Sequence, residues 1–145
     1  MINDWIAIDQ PDRYAGAIGQ IKSLSNHQEQ NAAYFHVFIQ GKFGYLLKEV
    51  CSDDIIPIPL TSDILEKNDF LYYSVDDGYY GYFEESYSNQ TTEIILFNVN
   101  NENRNVQIHI NYHNDETILH LMECNYVHQL QHILKVCGIK KEIEL

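Results

Sequence analysis

Val106-Gln107-Ile108-His109-Ile110-Asn111-Tyr112-His113 decides the fold class. Apolar residues alternate strictly with polar ones, which is the period of a strand with one buried face. Asn114-Asp115 then turns the chain, and Glu116 to Glu123 is expected to return antiparallel to it.

The same reading extends in both directions. Ala33-Tyr34-Phe35-His36-Val37-Phe38-Ile39 and Gly44-Tyr45-Leu46-Leu47-Lys48-Glu49-Val50, joined at Gly41-Lys42, read as a hairpin. Phe70 to Val75 and Tyr79 to Glu85 read as a second hairpin closed by Asp76-Asp77-Gly78, with a further strand over Glu93 to Val99. Pro57 and Pro59 interrupt the chain between the two hairpins, and Ser62 is a candidate cap for a short helix ending near Lys67. Asn26 to Asn31 reads as a loop.

Helices are expected at both ends. Tyr14, Ala17, Ile18, Ile21 and Leu24 recur at helical spacing over residues 11–24, although Gly16 and Gly19 weaken that pattern. Tyr126, Val127, Leu130, Ile133, Leu134 and Cys137 fall on one face of a second helix, with Asn125 to start it and Gly138 to end it. The expectation is a single α+β domain over residues 1–145: a meandering antiparallel sheet of about six to seven strands with N- and C-terminal helices packed on it.

Composition narrows function. The chain of 145 residues is 45% hydrophobic, enough for a packed core, and no apolar run reaches the length of a membrane-spanning helix. Its N-terminus shows no secretory signal pattern. Cys51, Cys124 and Cys137 are odd in number and form no C-x-x-C pair, which fits reduced thiols in the cytoplasm. Twenty-one acids against nine bases give a net charge of −12. That field repels nucleic-acid backbones and anionic membranes and attracts basic partners.

No cofactor or catalytic motif is present. The glycines at 16, 19, 41, 44, 78, 81 and 138 form neither a phosphate loop nor a dinucleotide-binding fingerprint, and no serine sits in a nucleophile elbow. His109, His113 and His120 could supply an acid/base pair, but only Arg104 is near to hold a phosphate. His128 and His132 have the spacing of two metal ligands on a helix, yet Gln129 stands where a zinc protease needs glutamate. The expectation is no enzyme, no metal and no cofactor.

Residues 68–103 stand apart. They contain no Lys or Arg, and they carry Asp69, Asp76, Asp77, Glu84, Glu85, Glu93 and Glu102. They also hold Tyr72, Tyr73, Tyr79, Tyr80, Tyr82 and Tyr87, six of the eleven tyrosines. Tyrosine gives large contact area at low entropic cost, and interleaved carboxylates suit lysine- and arginine-rich surfaces. The expected partner-binding residues are Asp69, Tyr72, Asp76, Asp77, Tyr79, Tyr80, Tyr82, Glu84 and Glu85, with Tyr79, Tyr80 and Tyr82 as anchors.

In size, charge and this acidic tyrosine-rich hairpin, the chain resembles the immunity proteins of bacterial contact-dependent growth inhibition and related toxin systems. That resemblance implies a cytoplasmic inhibitor that binds one cognate toxin domain, often a basic nuclease. The class has no diagnostic motif, so no functional residue is carried over from it. An acidic nucleic-acid mimic that blocks a DNA-binding protein shares the same composition.

Overall fold

A computed structural model describes residues 4–9, 14, 16–29, 32–41, 44–75, 78–85, 90–97, 105–112, 115–121 and 123–145. The chain divides into two compact units, residues 1–58 and 59–145. Each is built around one antiparallel five-stranded sheet.

The first unit contains β1 (Trp5–Ile8), β2 (Ile18–Glu29), β3 (Ala32–Gly41), β4 (Gly44–Cys51) and β5 (Ile55–Pro57), in the order β4-β3-β2-β1-β5. The hairpin of β3 and β4 is where its alternation places it, with Val37 opposite Lys48 and Gly41 opposite Gly44. Ile6, Ile8, Ile21, Val37, Ile39 and Val50 form the buried cluster, joined by Tyr14, Ala17, Phe35 and Ile55.

Among the described residues of 11–24 no helix is formed. Ile18 to Glu29 is strand, including the stretch expected to begin a loop at Asn26. Gly16 takes φ +74°, donates its N–H to Ile8 O at 2.8 Å, and turns the chain from β1 into β2. Gly19 explains why a helix-like pattern lies in a sheet. A Cβ there would stand 2.6 Å from Val37 Cγ1 and 3.0 Å from Phe38 O, so β2 and β3 meet where only glycine fits. Ile21 is buried, whereas Ile18 and Leu24 are exposed. A break in the β2–β3 register between Ile21 and Ser23 interrupts the alternation that would have marked the strand.

The second unit contains α1 (Ser62–Lys67), β6 (Leu71–Tyr73), β7 (Tyr79–Glu85), β8 (Gln90–Phe97), β9 (Asn105–Tyr112), β10 (Asp115–Leu121) and α2 (Val127–Val136). Its sheet runs β10-β9-β8-β7-β6 as a simple meander. One sheet face carries Tyr80, Ile94, Leu96, Val106 and Ile108, all buried and matched across strands as Tyr80 to Leu96, Ile94 to Ile108 and Leu96 to Val106. Each apolar side chain of this size stabilises by roughly 1.5–3 kcal/mol when fully buried.

α1 starts one residue earlier than its serine suggests: Thr61 Oγ1 accepts the N–H of Ile64 at 3.3 Å. α2 buries Val127, Leu130 and Leu134, and Gln129 Oε1 turns back to accept the N–H groups of Asn125 and Tyr126. Gly138 at φ +74° closes the helix as Ile139 N bonds Leu134 O. Among the described residues no helix is long and apolar enough to cross a membrane.

The fold is thus mostly antiparallel sheet with two helices. It differs from expectation in having two sheets instead of one, and in placing both helices after residue 58.

Candidate functional site

β6 and β7 pair with Leu71 opposite Gly81, Tyr72 opposite Tyr80 and Tyr73 opposite Tyr79. Opposed residues share a face, and successive residues alternate. The two strands therefore sort the tyrosines into two unlike sets.

Tyr72, Tyr80 and Tyr82 lie on the core side. Tyr80 is only 4% exposed, and its hydroxyl donates to Glu66 Oε1 of α1 at 2.7 Å. Burial and the neighbouring carboxylate of Glu66 push its phenol pKa up. The ring of Tyr80, expected as an anchor, is thus packed in the core of this unit. Tyr72 rests against Tyr80 with ring centroids 5.2 Å apart. Its hydroxyl also covers Gly78, where a Cβ would come within 2.2 Å of that oxygen. Tyr82 packs on Phe70 and donates to Glu84 Oε2 at 2.6 Å.

The basic residue missing from the local sequence arrives from the tail. Lys141 Nζ lies 2.7 Å from Asp69 Oδ2 and 5.4 Å from the Tyr82 ring centroid. Asp69 is therefore already paired within the unit. Glu84 holds the Tyr82 hydroxyl, whereas Glu85 is exposed on the opposite face. Asp76 and Asp77 lie outside the described residues.

Burial first, and then the Glu84 carboxylate, raise the Tyr82 phenol to about 12 from an ordinary 10. The fold favours its protonated form. Any stability from this group is present below pH 10 and is lost as pH rises toward 12. In an absorbance titration of tyrosinate, a late-ionising component is expected in the native protein. Tyr82→Phe should shrink that component, leaving the share of Tyr80, whose phenol is also raised, and should leave the earlier ones; a titration unchanged by Tyr82→Phe would place the late component elsewhere.

Tyr72 remains 52% exposed at the margin of the core side, and the other face of the hairpin carries a larger exposed set. Leu71 is 63% exposed, Phe83 62% and Tyr73 40%. Tyr73 stacks on Tyr79 with centroids 4.9 Å apart and planes 18° apart. Gly81 sits between them, and a Cβ there would stand 3.1 Å from Tyr73 Cε2. A bare backbone at this point lets the two rings lie against the sheet. Phe83 faces Glu93 across β7 and β8, and Glu85 follows two residues beyond on the same face. The result is an apolar and aromatic patch, Leu71-Tyr73-Tyr79-Phe83, rimmed by Glu85 and Glu93.

Sequence reasoning missed Leu71, Tyr73 and Phe83 because it ranked tyrosines by number and not by parity. Counting residues outward from Tyr80 would have found them. A strand that buries Tyr80 must present Tyr79 and Phe83 on its other side.

The histidines are spread over several surfaces. His109 Nδ1 is 3.1 Å from Glu116 Oε1, and Nε2 is 3.4 Å from Gln107 Oε1. His120 is exposed on β10 opposite Gln107, and His113 lies outside the described residues. On α2, the His128 ring stacks on Tyr126, and the His132 ring stands 6.1 Å from it edge-on. Among the described residues no three His, Cys, Asp or Glu side chains converge to hold a metal ion. No disulfide joins the three cysteines, Cys124 is buried, and burial raises the pKa of Cys137.

Comparison with protein-family models, with curated proteins and with solved structures gives no match.

Proposed function

We propose that this protein is an inhibitory binding protein of the immunity type, acting in the cytoplasm on a basic toxin domain, with a nuclease as the toxin chemistry. The observation that carries this reading is the patch of exposed Leu71, Tyr73 and Phe83 with half-buried Tyr79, rimmed by Glu85 and Glu93. Single exposed apolar residues are common, but three together on adjacent strands, with carboxylates at the margin, fit the centre and rim of an interface. Lys and Arg of the partner would meet the rim, and the rings would fill its apolar pockets. The net charge of −12 would speed encounter with a basic surface. A nuclease uses such a surface to hold its substrate, so covering it inhibits without any catalytic step.

The apolar centre also separates this reading from nucleic-acid mimicry. A mimic works through charge spacing and releases its targets in salt, whereas burial of Leu71 and Phe83 resists salt. The test is capture of a partner from the source lysate at low and high salt, followed by assay of that partner. The expected result is one basic protein retained at high salt, whose nuclease activity is abolished at equimolar ratio. Many DNA-binding proteins that all wash off in salt would instead support mimicry, and a retained partner whose activity is untouched would overturn inhibition.

A further inference from the structure

Among the described residues β10 is an edge strand, hydrogen-bonded to β9 on one side only in the sheet order. All of residues 115–120 are exposed. An open edge of this length is a template for another strand unless it is blunted. β10, Asp115-Glu116-Thr117-Ile118-Leu119-His120-Leu121, has no proline, lysine or glycine, and its pairing with β9 runs unbroken through seven positions.

The direction of its free backbone groups follows from the register. Tyr112 and Asp115 face each other with two residues between them, so Asp115, Thr117, Leu119 and Leu121 direct N–H and C=O toward β9. Glu116, Ile118 and His120 direct theirs outward.

We propose that the outer edge of β10 pairs antiparallel with β10 of a second copy of this chain, about a two-fold axis at Ile118. A two-fold axis normal to a sheet maps each face onto itself, so one residue must face its own copy. With Ile118 at the axis, every outward-directed residue of β10 faces another. Ile118 meets Ile118, and Glu116 of each copy meets His120 of the other. Each facing pair exchanges both backbone bonds. The side chains match as well: both Glu116–His120 pairs are acid against imidazole, on the face that also holds His109. On the other face Thr117 meets Leu119, covering a leucine that is exposed in the single chain.

Neighbouring registers are worse. With Thr117 or Leu119 at the axis, fewer outward groups find partners, and Glu116 and His120 no longer meet. The edge of β4 in the other unit lacks this complementarity. The same arithmetic, centred on Leu47, sets Glu49 against Tyr45, a pair without opposite charges. Opposing the β10 pair is the repulsion of two chains of net charge −12, so the dimer is weak and tightens with moderate salt.

The test is sedimentation velocity of the intact protein in moderate salt, from micromolar to near-millimolar concentration. A concentration-dependent dimer is expected. Ile118→Pro should weaken it by about tenfold or more, because it removes a cross-copy donor while the bonds of β10 to β9 remain. His120→Glu, at an exposed site that tolerates change, should weaken it by about tenfold by placing glutamate against glutamate. Adding Glu116→Lys to His120→Glu should restore it. A monomer at all concentrations overturns the proposal. So does a dimer indifferent to Ile118→Pro and His120→Glu, or one that the double substitution fails to restore.

Discussion

Leu71→Ala combined with Phe83→Ala is expected to weaken binding of the basic partner by about 3 kcal/mol, more than a hundredfold, while the protein stays folded. Both side chains are more than half exposed in the free protein, so truncating them should cost the fold less than about 1 kcal/mol. In an interface they would be desolvated, and each would lose roughly 1.5–3 kcal/mol of burial. The rim should behave differently. Glu85→Lys and Glu93→Lys should slow association and flatten its salt dependence, with a smaller effect on dissociation. Calorimetric titration against the captured partner measures the first effect, and stopped-flow association across ionic strength measures the second. An affinity unchanged by the double alanine substitution would move the interface off this face.

The largest effect on stability is expected at Asn68. Its side chain is 2% exposed and joins α1 to the tail. Nδ2 donates to Ile64 O at 2.7 Å and to Glu144 O at 2.8 Å, and Oδ1 accepts the N–H of Glu144 at 2.9 Å. The amide thereby stands in for a neighbouring strand and satisfies both backbone groups of Glu144. That docking holds Ile143 in the core at 1% exposure. Asn68→Ala removes all three bonds and leaves buried polar groups unpaired, at a cost of about 2–4 kcal/mol. Total stability for a domain of this kind is on the order of 5–15 kcal/mol, so the loss is a large share. Asn68→Asp should be no better, because it sets carboxylate oxygen against the Glu144 or Ile64 carbonyl. Urea unfolding reads the loss, and proteolysis of the native protein should start cutting near Ile143. A midpoint unchanged in Asn68→Ala would mean that the tail is held by its apolar residues alone.

What the sequence disclosed follows from how local each signal is. The alternation over Val106 to Tyr112, the hairpin at Gly41 and the stripe on α2 are each set by near neighbours, and all three stand in the structure. The β2 strand was hidden because its apolar spacing fits a helix, and the fact that decides against one is the close approach of Val37 to Gly19. Two sheets instead of one could not be read from alternation, which reports burial and not which sheet a strand joins. At the candidate site the composition of residues 68–103 was legible, but its pairing was not. Lys141, 72 positions away in sequence, pairs with Asp69, and Tyr80 donates its hydroxyl to Glu66 of α1. The exposed aromatic face is what the register leaves over.

The most direct measurement is a parallel capture from the source lysate at high salt, using the native protein and the folded Leu71→Ala/Phe83→Ala variant as baits. The account predicts that one basic protein is retained by the native bait in about equal amount, and that the variant bait loses it. Equal retention of that protein by both baits would contradict the central claim that this face is the binding surface.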